Sequence, residues 1–475
     1  MQIRETLVLL LVATFVVPLA ACAVPEPVRP NVMLIVLDTT RRDRLSTYGY
    51  DRKTSPALDR VAAGGLVYEQ CISAGSWTLP SHASIFTGLY PRDHGTNVEN
   101  WNLRGDFTTL AEVFGANGYR TAGFCCNPWI SEQTGLLQGF VDFQEIWRGR
   151  RDDSRDEHGA ARTTEKVLEW LDARAPDAEP FFVFVNYLEP HTPYRPPSAF
   201  RQRFLPPDVD PIAVQQVMSW ETPREFGYIL KVPGMEISEE QFEILDALYD
   251  AEVAYQDARF GELIEGLESR GLLDDTVLVI VADHGEQLGE HGMLDHKMSL
   301  YEENVHVPLI LRYPPAVPAG GRIEARVQSN DIFPTLLELS GIDHATVPGS
   351  TPLPLRDGEG VGRPYAFVDM ARPTVFMSMM EAEWPGANVR AFDRSIRAVQ
   401  GPRFKYVWAS DGERRLYDIP ADPLEQHDLS GAHPEIQAHL DRILTGFHEG
   451  SVDQSTPVEL DEEQREALRS LGYVN

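Results

Sequence analysis

A chain of 475 residues with 72 acidic against 42 basic side chains, a formal net charge of −30, has no positive surplus with which to neutralise a nucleic-acid backbone. Its 43% hydrophobic and 24% charged content excludes wholesale disorder, and its length suits a large α/β enzyme carrying a subdomain rather than one small domain. An anionic substrate would need a locally positive site, such as a cation with Arg, Lys and His around it.

Residues 1–22 read as a lipoprotein-type signal peptide. The apolar run 6–21 after Arg4 is short for a membrane-spanning helix and has the length of a signal-peptide core. Leu19-Ala20-Ala21-Cys22 resembles the bacterial lipobox, so the expected location is the cell envelope of a bacterium, tethered to the membrane by lipid on Cys22. Residues 23–30, with Pro25, Pro27 and Pro30, form the tether. Cys71, Cys125 and Cys126 are left; an odd number in apolar surroundings suits buried thiols rather than a disulfide framework.

The apolar run 32–37 predicts a strand ending in Asp38, with Arg41 just beyond, placed either against a substrate or at the surface. A helix over 55–63 and a strand over 66–71 lead to the stretch 76–88. There Pro80 suits a first helical turn and Gly88 a stop, so Thr78 sits at a helix start. Free N–H groups and the helix dipole favour an anion at that end, where a Thr78 hydroxyl on a metal could ionise and attack an anionic ester. Read alone, the stretch better fits Thr78 as only an N-cap and His82 as an ordinary helix residue, because Ser/Thr caps are common. A helix over 108–117, a strand over 119–126, a helix over 157–173 and a strand over 181–188 keep the alternation that predicts a parallel sheet with right-handed crossovers.

That last strand delivers Glu189-Pro190-His191-Thr192-Pro193-Tyr194, a His in a Pro-bounded loop. Residues 195–236, rich in Pro, read as an irregular insertion serving as a lid or pocket wall. Helical spacing over 238–269 predicts one long helix or two end to end. The run 277–282 is then a strand ending in Asp283-His284-Gly285-Glu286. Two strand-end acids, a strand-end His and a helix-start hydroxyl make a divalent-metal site at the edge where open α/β sheets place ligands. His296-Lys297 follow, and a helix over 329–342 closes a main domain of 31–345. After a linker over 346–363, short strands at 395–399, 404–408 and 414–419 with a helix at 434–447 predict a small antiparallel subdomain over 364–450. The tail 451–475, with a helix over 460–471, shows no chemistry, and the chain holds no internal repeat and no nucleic-acid motif.

These motifs resemble the sulfatase family of the alkaline phosphatase superfamily. Its signature, Cys-x-Pro-Ser-Arg followed by Thr-Gly, reads here Thr78-Leu79-Pro80-Ser81-His82 with Thr87-Gly88. Asp38, Asp283-His284, His191-Thr192-Pro193-Tyr194, His296-Lys297 ahead of Tyr301-Glu302, Val307-Pro308-Leu309-Ile310, Arg415-Leu416-Tyr417-Asp418-Ile419 and Asp422-Pro423 also match. The resemblance implies a large, mainly parallel sheet flanked by helices, with a small C-terminal antiparallel sheet plus helix. It implies one divalent metal on Asp38, Thr78, Asp283 and His284. Many relatives carry two adjacent acids where this chain has Asp38-Thr39, which leaves calcium, manganese and zinc open.

His82, in the Arg position, would orient Thr78 or share a proton with it, and His191 would meet the substrate's anionic head. The Lys that the family places against the substrate is His296 counted from Gly292 and Lys297 counted from Tyr301. A second metal on Glu189, His191 and His296 is the less favoured alternative. Active sulfatases oxidise the signature Cys to formylglycine, which Thr78 cannot become; a threonine alkoxide must form a covalent ester intermediate instead. That mechanism suits phosphate esters, whereas the overall resemblance is to sulfatases. The expected function is thus a metal-dependent hydrolase of sulfate or phosphate esters acting on small anionic esters or on sulfated or phosphorylated glycans or lipids. The alternatives are a phosphodiesterase or phosphoryl-group transferase and a non-catalytic, envelope-tethered binding protein.

Overall fold

The computed structural model describes residues 29–148, 158–175, 178–343, 350–356, 362–449 and 459–474. The leader, Cys22, most of the tether and half of the 346–363 linker lie outside the described residues. Strands β1 (Asn31–Leu37), β2 (Leu66–Ile72), β3 (Arg120–Cys125), β4 (Asp142–Glu145), β5 (Phe181–Tyr187) and β6 (Thr276–Val281) come first along the chain. A small ribbon of β7 (Gln287–Leu288) and β8 (Leu294–Asp295) follows, then β9 (His306–Arg312) and β10 (Gly321–Gln328). The eight-stranded sheet runs β10-β2-β9-β6-β1-β5-β3-β4. Its central strands are apolar without interruption because helices cover both faces; Val32 to Val36 and Val277 to Val279 are fully buried.

The pairings are parallel except at β9, which runs antiparallel to both β2 and β6. The sheet is thus mainly parallel, as the resemblance implies, with β9 the exception to the parallel order of the strand–helix alternation. A strand buried on both faces shows the same apolar run in either direction, so its pattern carries no sign of polarity. The small sheet is β11 (Ala366–Met370), β12 (Ile396–Gln400), β13 (Phe404–Ala409) and β14 (Arg414–Asp418), all antiparallel. Leu440 and Leu444 of the helix Pro434–His448 close its core against Val399, Tyr406 and Leu416.

The expected two-way reading of 238–269 resolves to one 31-residue helix, Glu239–Ser269, started by a reciprocal Ser238–Gln241 capping box. The insertion over 195–236 is not irregular: it forms the helices Ser198–Phe204, Pro211–Met218 and Thr222–Ile229. Two of these carry Pro in the first turn, where its missing N–H costs nothing, so prolines that read as breakers are helix starts. Phe204 packs on the small residues Ala247, Ala251 and Ala254 of the long helix.

An aromatic cluster fixes the sheet against the helix Thr78–Thr87. Phe184 of β5 is fully buried, with Phe86 edge-on at 5.0 Å and the His82 ring edge-on at 5.9 Å. Phe184→Ala is expected to lower the unfolding free energy by about 3–5 kcal/mol, read as a fall in the urea midpoint, since no neighbour can collapse into the cavity without moving His82.

Candidate active site

The site forms where the carboxyl ends of β6, β1, β5 and β3 lie side by side. Asp38 follows β1, and its backbone N–H donates to the Tyr187 carbonyl at the end of β5 (2.9 Å). Asp38 Oδ2 accepts from the amides of Asn127 (2.8 Å) and Asn186 (3.2 Å), while Oδ1 is buried with no hydrogen-bond partner among the described residues. Asp283, just past β6, accepts at Oδ1 from the backbone N–H of His284 (2.9 Å) and Thr39 (3.3 Å). Its Oδ2 is likewise buried without a hydrogen bond. Ser81 donates to the Asp283 carbonyl (2.7 Å), tying the strand end to the helix that carries Thr78.

Thr78 is the first residue of that helix, and the N-cap position belongs to Trp77, with no side-chain cap bond. Thr78 is therefore not the cap that its position allowed. Its Oγ1 lies 3.3 Å from His284 Nε2 and 3.4 Å from Asn127 Nδ2. His284 donates from Nδ1 to the Gly285 carbonyl (2.9 Å), which leaves the Nε2 lone pair facing Thr78. Ligating atoms of Asp38, Asp283 and His284 all lie within 4.8 Å of one another.

Burial pushes Asp38 up to about 6 against its two amide donors. Burial and then the Asp38 charge push Asp283 well above the usual carboxylate range, and burial holds His284 well below an ordinary imidazole. Two carboxylate oxygens without hydrogen bonds, a neutral imidazole nitrogen and a hydroxyl are a donor set that fits a divalent cation. Asp38, Asp283, His284 and Thr78 would hold it.

Gly285 makes this convergence possible. A Cβ at this position would lie 1.9 Å from the Glu303 carbonyl oxygen, a backbone atom that cannot swing away. Gly285→Ala is expected to push the Asp283-His284 turn off the Glu303 chain and to weaken metal binding by at least about tenfold, measured by titration with manganese.

The opposite wall holds His191 and His296. His191 lies between two cis prolyl bonds, Glu189–Pro190 and Thr192–Pro193, and donates from Nδ1 to the Thr192 carbonyl (2.6 Å). Burial, then the neighbouring His296, holds it well below an ordinary imidazole. His296 Nδ1 sits 3.0 Å from both Glu286 and Asp295. Burial opposes its charge, but Asp295 and Glu286 outweigh burial and push His296 up to about 9.

Of the alternatives His296 and Lys297, it is His296 that turns a ring nitrogen into the site; the Lys297 ammonium is spent on Asp295 behind it. Glu189 Oε1 accepts from the backbone N–H groups of His158 (3.0 Å) and Ala160 (3.1 Å), so it braces a loop. The set expected for a second metal is thereby changed: the acids that converge on His296 are Glu286 and Asp295. Lys297 already supplies positive charge to Asp295.

Two further expectations are corrected. Arg41 faces neither substrate nor solvent: it is buried, with its guanidinium held by Asp43 (2.7 Å), Glu290 (2.6 Å) and the Glu286 carbonyl (3.2 Å). His82 points Nδ1 at the Thr78 carbonyl (2.9 Å), with Asp283 Oδ2 at 3.4 Å, so it reaches the main chain of residue 78 and not its hydroxyl. Burial lowers His82 to about 4, so it is neutral.

The tail, read as having no chemistry, delivers Tyr473 into the site, where its hydroxyl is 3.0 Å from His191 Nε2 and 2.8 Å from His296 Nε2. Asn127 and Asn186 had no sequence signal beyond lying at or just past strand ends. Tyr473 had only a Leu-Gly-Tyr helix stop.

A mainly parallel sheet with acids at its strand ends and a hydroxyl at a facing helix start defines the alkaline phosphatase superfamily. The chain belongs to the sulfatase family: the model described as Sulfatase matches residues 30–342. The model described as N-sulphoglucosamine sulphohydrolase, C-terminal, matches residues 289–449. Arylsulfatase K of Bos taurus is 28% identical over 88% of this chain and 81% of its own length. N-acetylglucosamine-6-O-sulfatase of Bacteroides thetaiotaomicron is 24% identical over 88% and 87%. Among solved structures, the phosphonate monoester hydrolase of Agrobacterium radiobacter superimposes with a TM-score of 0.72 at 23% identity, over 92% of this chain and 99% of that one. A structure in complex with its substrate D-glucosamine-2-N,6-O-disulfate gives 0.71 at 22% identity, over 89% and 98%.

Proposed function

We propose that the protein hydrolyses sulfate or phosphate esters with Thr78 as nucleophile. One observation carries this reading: a buried helix-start hydroxyl stands beside His284 Nε2 and two carboxylates whose facing oxygens have no partner. A divalent ion bound there would act as a Lewis acid on the hydroxyl and on the substrate's oxygens. Thr78 Oγ1, its pKa lowered beside the ion and its proton released to solvent, would attack the sulfur or phosphorus, forming a threonine ester as the bond to the alcohol oxygen breaks. His296, protonated at neutral pH and fixed by Glu286 and Asp295, would give the leaving oxygen its proton. Water, passing a proton back to His296, would then attack the same sulfur or phosphorus, breaking its bond to Thr78 Oγ1 and freeing the Thr78 alkoxide and the inorganic anion.

His191 presents a lone pair at Nε2, because Nδ1 is committed to Thr192. An arriving anion would be the partner that lets this nitrogen take up a proton and hold the head. Asn127, which donates to both Asp38 and Thr78, orients the hydroxyl between the acids.

Threonine in the signature position favours the phosphoryl branch, including phosphodiesters, since an alkoxide nucleophile needs no oxidised Cys. The sulfatase-family relatives, one of them an N-acetylglucosamine-6-O-sulfatase, favour a sulfated sugar. The deciding experiment incubates metal-supplemented protein with aryl sulfate, aryl phosphate, phosphodiester and glucosamine 6-sulfate, alongside elemental analysis for calcium, manganese and zinc. Turnover of none of them and no bound metal would leave a binding protein on this fold. Export and a lipid on Cys22 rest on the N-terminal sequence, and failure of Cys22→Ser to shift the protein from the membrane to the soluble fraction would refute the anchor.

A further inference from the structure

Three groups that the hydrolase reading sets around the substrate's head converge on one oxygen that is already there. Tyr473 Oη is 3.5 Å from Thr78 Oγ1, 3.0 Å from His191 Nε2 and 2.8 Å from His296 Nε2. Thr78, His191, His296 and Tyr473 are each 0% exposed. With Nδ1–H given to Thr192, His191 Nε2 accepts the phenol proton, and the phenol oxygen also lies within hydrogen-bond distance of His296 Nε2, whose ring is fixed at Nδ1 by Glu286 and Asp295. A sulfate or phosphate oxygen held by the same groups would need the same point, and two oxygens cannot share it within about 2.5 Å.

The ring is as firmly placed as its hydroxyl. Trp129 stands at 5.4 Å between ring centroids, Trp77 and Phe376 at 6.2 Å, and the Lys297 ammonium lies 4.6 Å over the ring. Behind it, Asp461 caps the helix Glu462–Ser470 at the Gln464 N–H (2.8 Å) and pairs with Arg148 (2.7 Å). The Gln464 amide donates to the Pro128 carbonyl (2.9 Å) and the Ser131 hydroxyl (2.7 Å), and Leu468 is fully buried. The last turn passes so close to Thr222 that a Cβ on Gly472, whose φ is +75°, would fall 1.5 Å from the Thr222 hydroxyl.

We propose that the C-terminal segment 459–474 is a built-in occupant of the anion site: Tyr473 Oη holds the place of a substrate oxygen, and an ester binds only when the phenol withdraws. This inference rests on the hydrolase reading for the identity of the site. Substrate affinity is then reduced by the fraction of molecules in which the phenol is in place.

The test uses full-length, metal-supplemented protein and inorganic phosphate and sulfate as probes. In titration calorimetry, Tyr473→Phe and Tyr473→Ala are expected to bind phosphate about tenfold more tightly than the wild type, the worth of the hydrogen bonds the phenol no longer contests. In wild-type protein, amide hydrogen exchange over 459–474 is expected to rise at saturating phosphate. Equal or weaker binding by both variants, no binding by any form, or exchange that stays level or falls on saturation would overturn the proposal. In that case Tyr473 is part of the wall that grips the anion. Neither readout needs turnover. A gain in affinity without hydrolysis of any ester would sink the hydrolase reading alone, and hydrolysis without the gain would sink the occupant alone.

Discussion

Thr78→Ala is expected to lower kcat on any ester the protein hydrolyses by about 10⁴-fold or more, because the other hydroxyl beside the site, Tyr473 Oη, is committed to His191 and His296 and does not reach the Asp38–Asp283–His284 cluster as a ligand. The N-cap of this helix is Trp77 and no side chain caps it, so the substitution removes no cap bond; it takes away a buried hydroxyl and γ-methyl, and stability should fall by no more than about 1–2 kcal/mol. Thr78→Ser keeps the oxygen and should retain activity within about 10²-fold, with a loss that reflects the freer rotamer. An alanine variant that stays folded and still turns over at a comparable rate would remove Thr78 from the chemistry, and with it the covalent intermediate. Mass spectrometry of the quenched wild-type reaction should find the transferred group on the peptide that contains Thr78.

The residues of the metal wall are legible in the sequence because each stands where an unbroken apolar run stops. Val32 to Leu37 ends in Asp38 and Val277 to Ala282 ends in Asp283-His284, and a helix start between Pro80 and Gly88 leaves one hydroxyl at its mouth. Local pattern and global fold agree there. What stays hidden depends on long-range partners. Arg41 reads as a free charge because only Asp43 of its partners is near in sequence, whereas Glu290 and the Glu286 carbonyl, which complete its burial, lie far along the chain. Asn127 is an ordinary residue after a strand until Asp38 and Thr78 are seen on either side of its amide.

The direction of β9 is set by its neighbours and not by its own apolar residues. Tyr473 is the extreme case: it lies 395 positions from Thr78, three residues past the end of a polar helix, Glu462–Ser470, whose buried positions one turn apart are a Gln and a single Leu, too little to read as an apolar face. Choosing His296 over Lys297 required coordinates, since counting residues across a one-residue difference in loop length cannot say which side chain turns inward.

Removal of the divalent ion should destabilise the protein in a manner that depends on pH with a definite sign. Without an ion, burial pushes Asp38 up to about 6 and, with the Asp38 charge beside it, Asp283 higher than its ordinary value. In the unfolded chain both titrate near about 4. A carboxyl raised on folding binds its proton more tightly in the native state. The stability it contributes is whole below the unfolded value and is lost as pH rises through the folded one. These two carboxyls therefore take stability away from the chelated protein between pH 5 and pH 7.5, while the buried neutral histidines His82, His191 and His284 act in the opposite sense, with and without the ion.

A bound ion needs both carboxylates ionised and competes with those protons, so it restores more stability at pH 7.5 than at pH 5; an ion at 100 times its Kd adds about 2.7 kcal/mol. Asp257 and Glu303, pushed up to about 7 by burial, bend both curves the same way. The quantity to read is thus the difference in Tm with and without ion, which should grow by a few degrees across that range. Asp283→Asn sharpens the test. With one of the two like charges gone, the chelated variant should melt higher than the chelated wild type at pH 7.5 while binding the ion more weakly. A difference that shrinks as pH rises, or a chelated Asp283→Asn protein that melts lower, would mean that the two acids are neutralised by the protein itself and that no cation belongs between them.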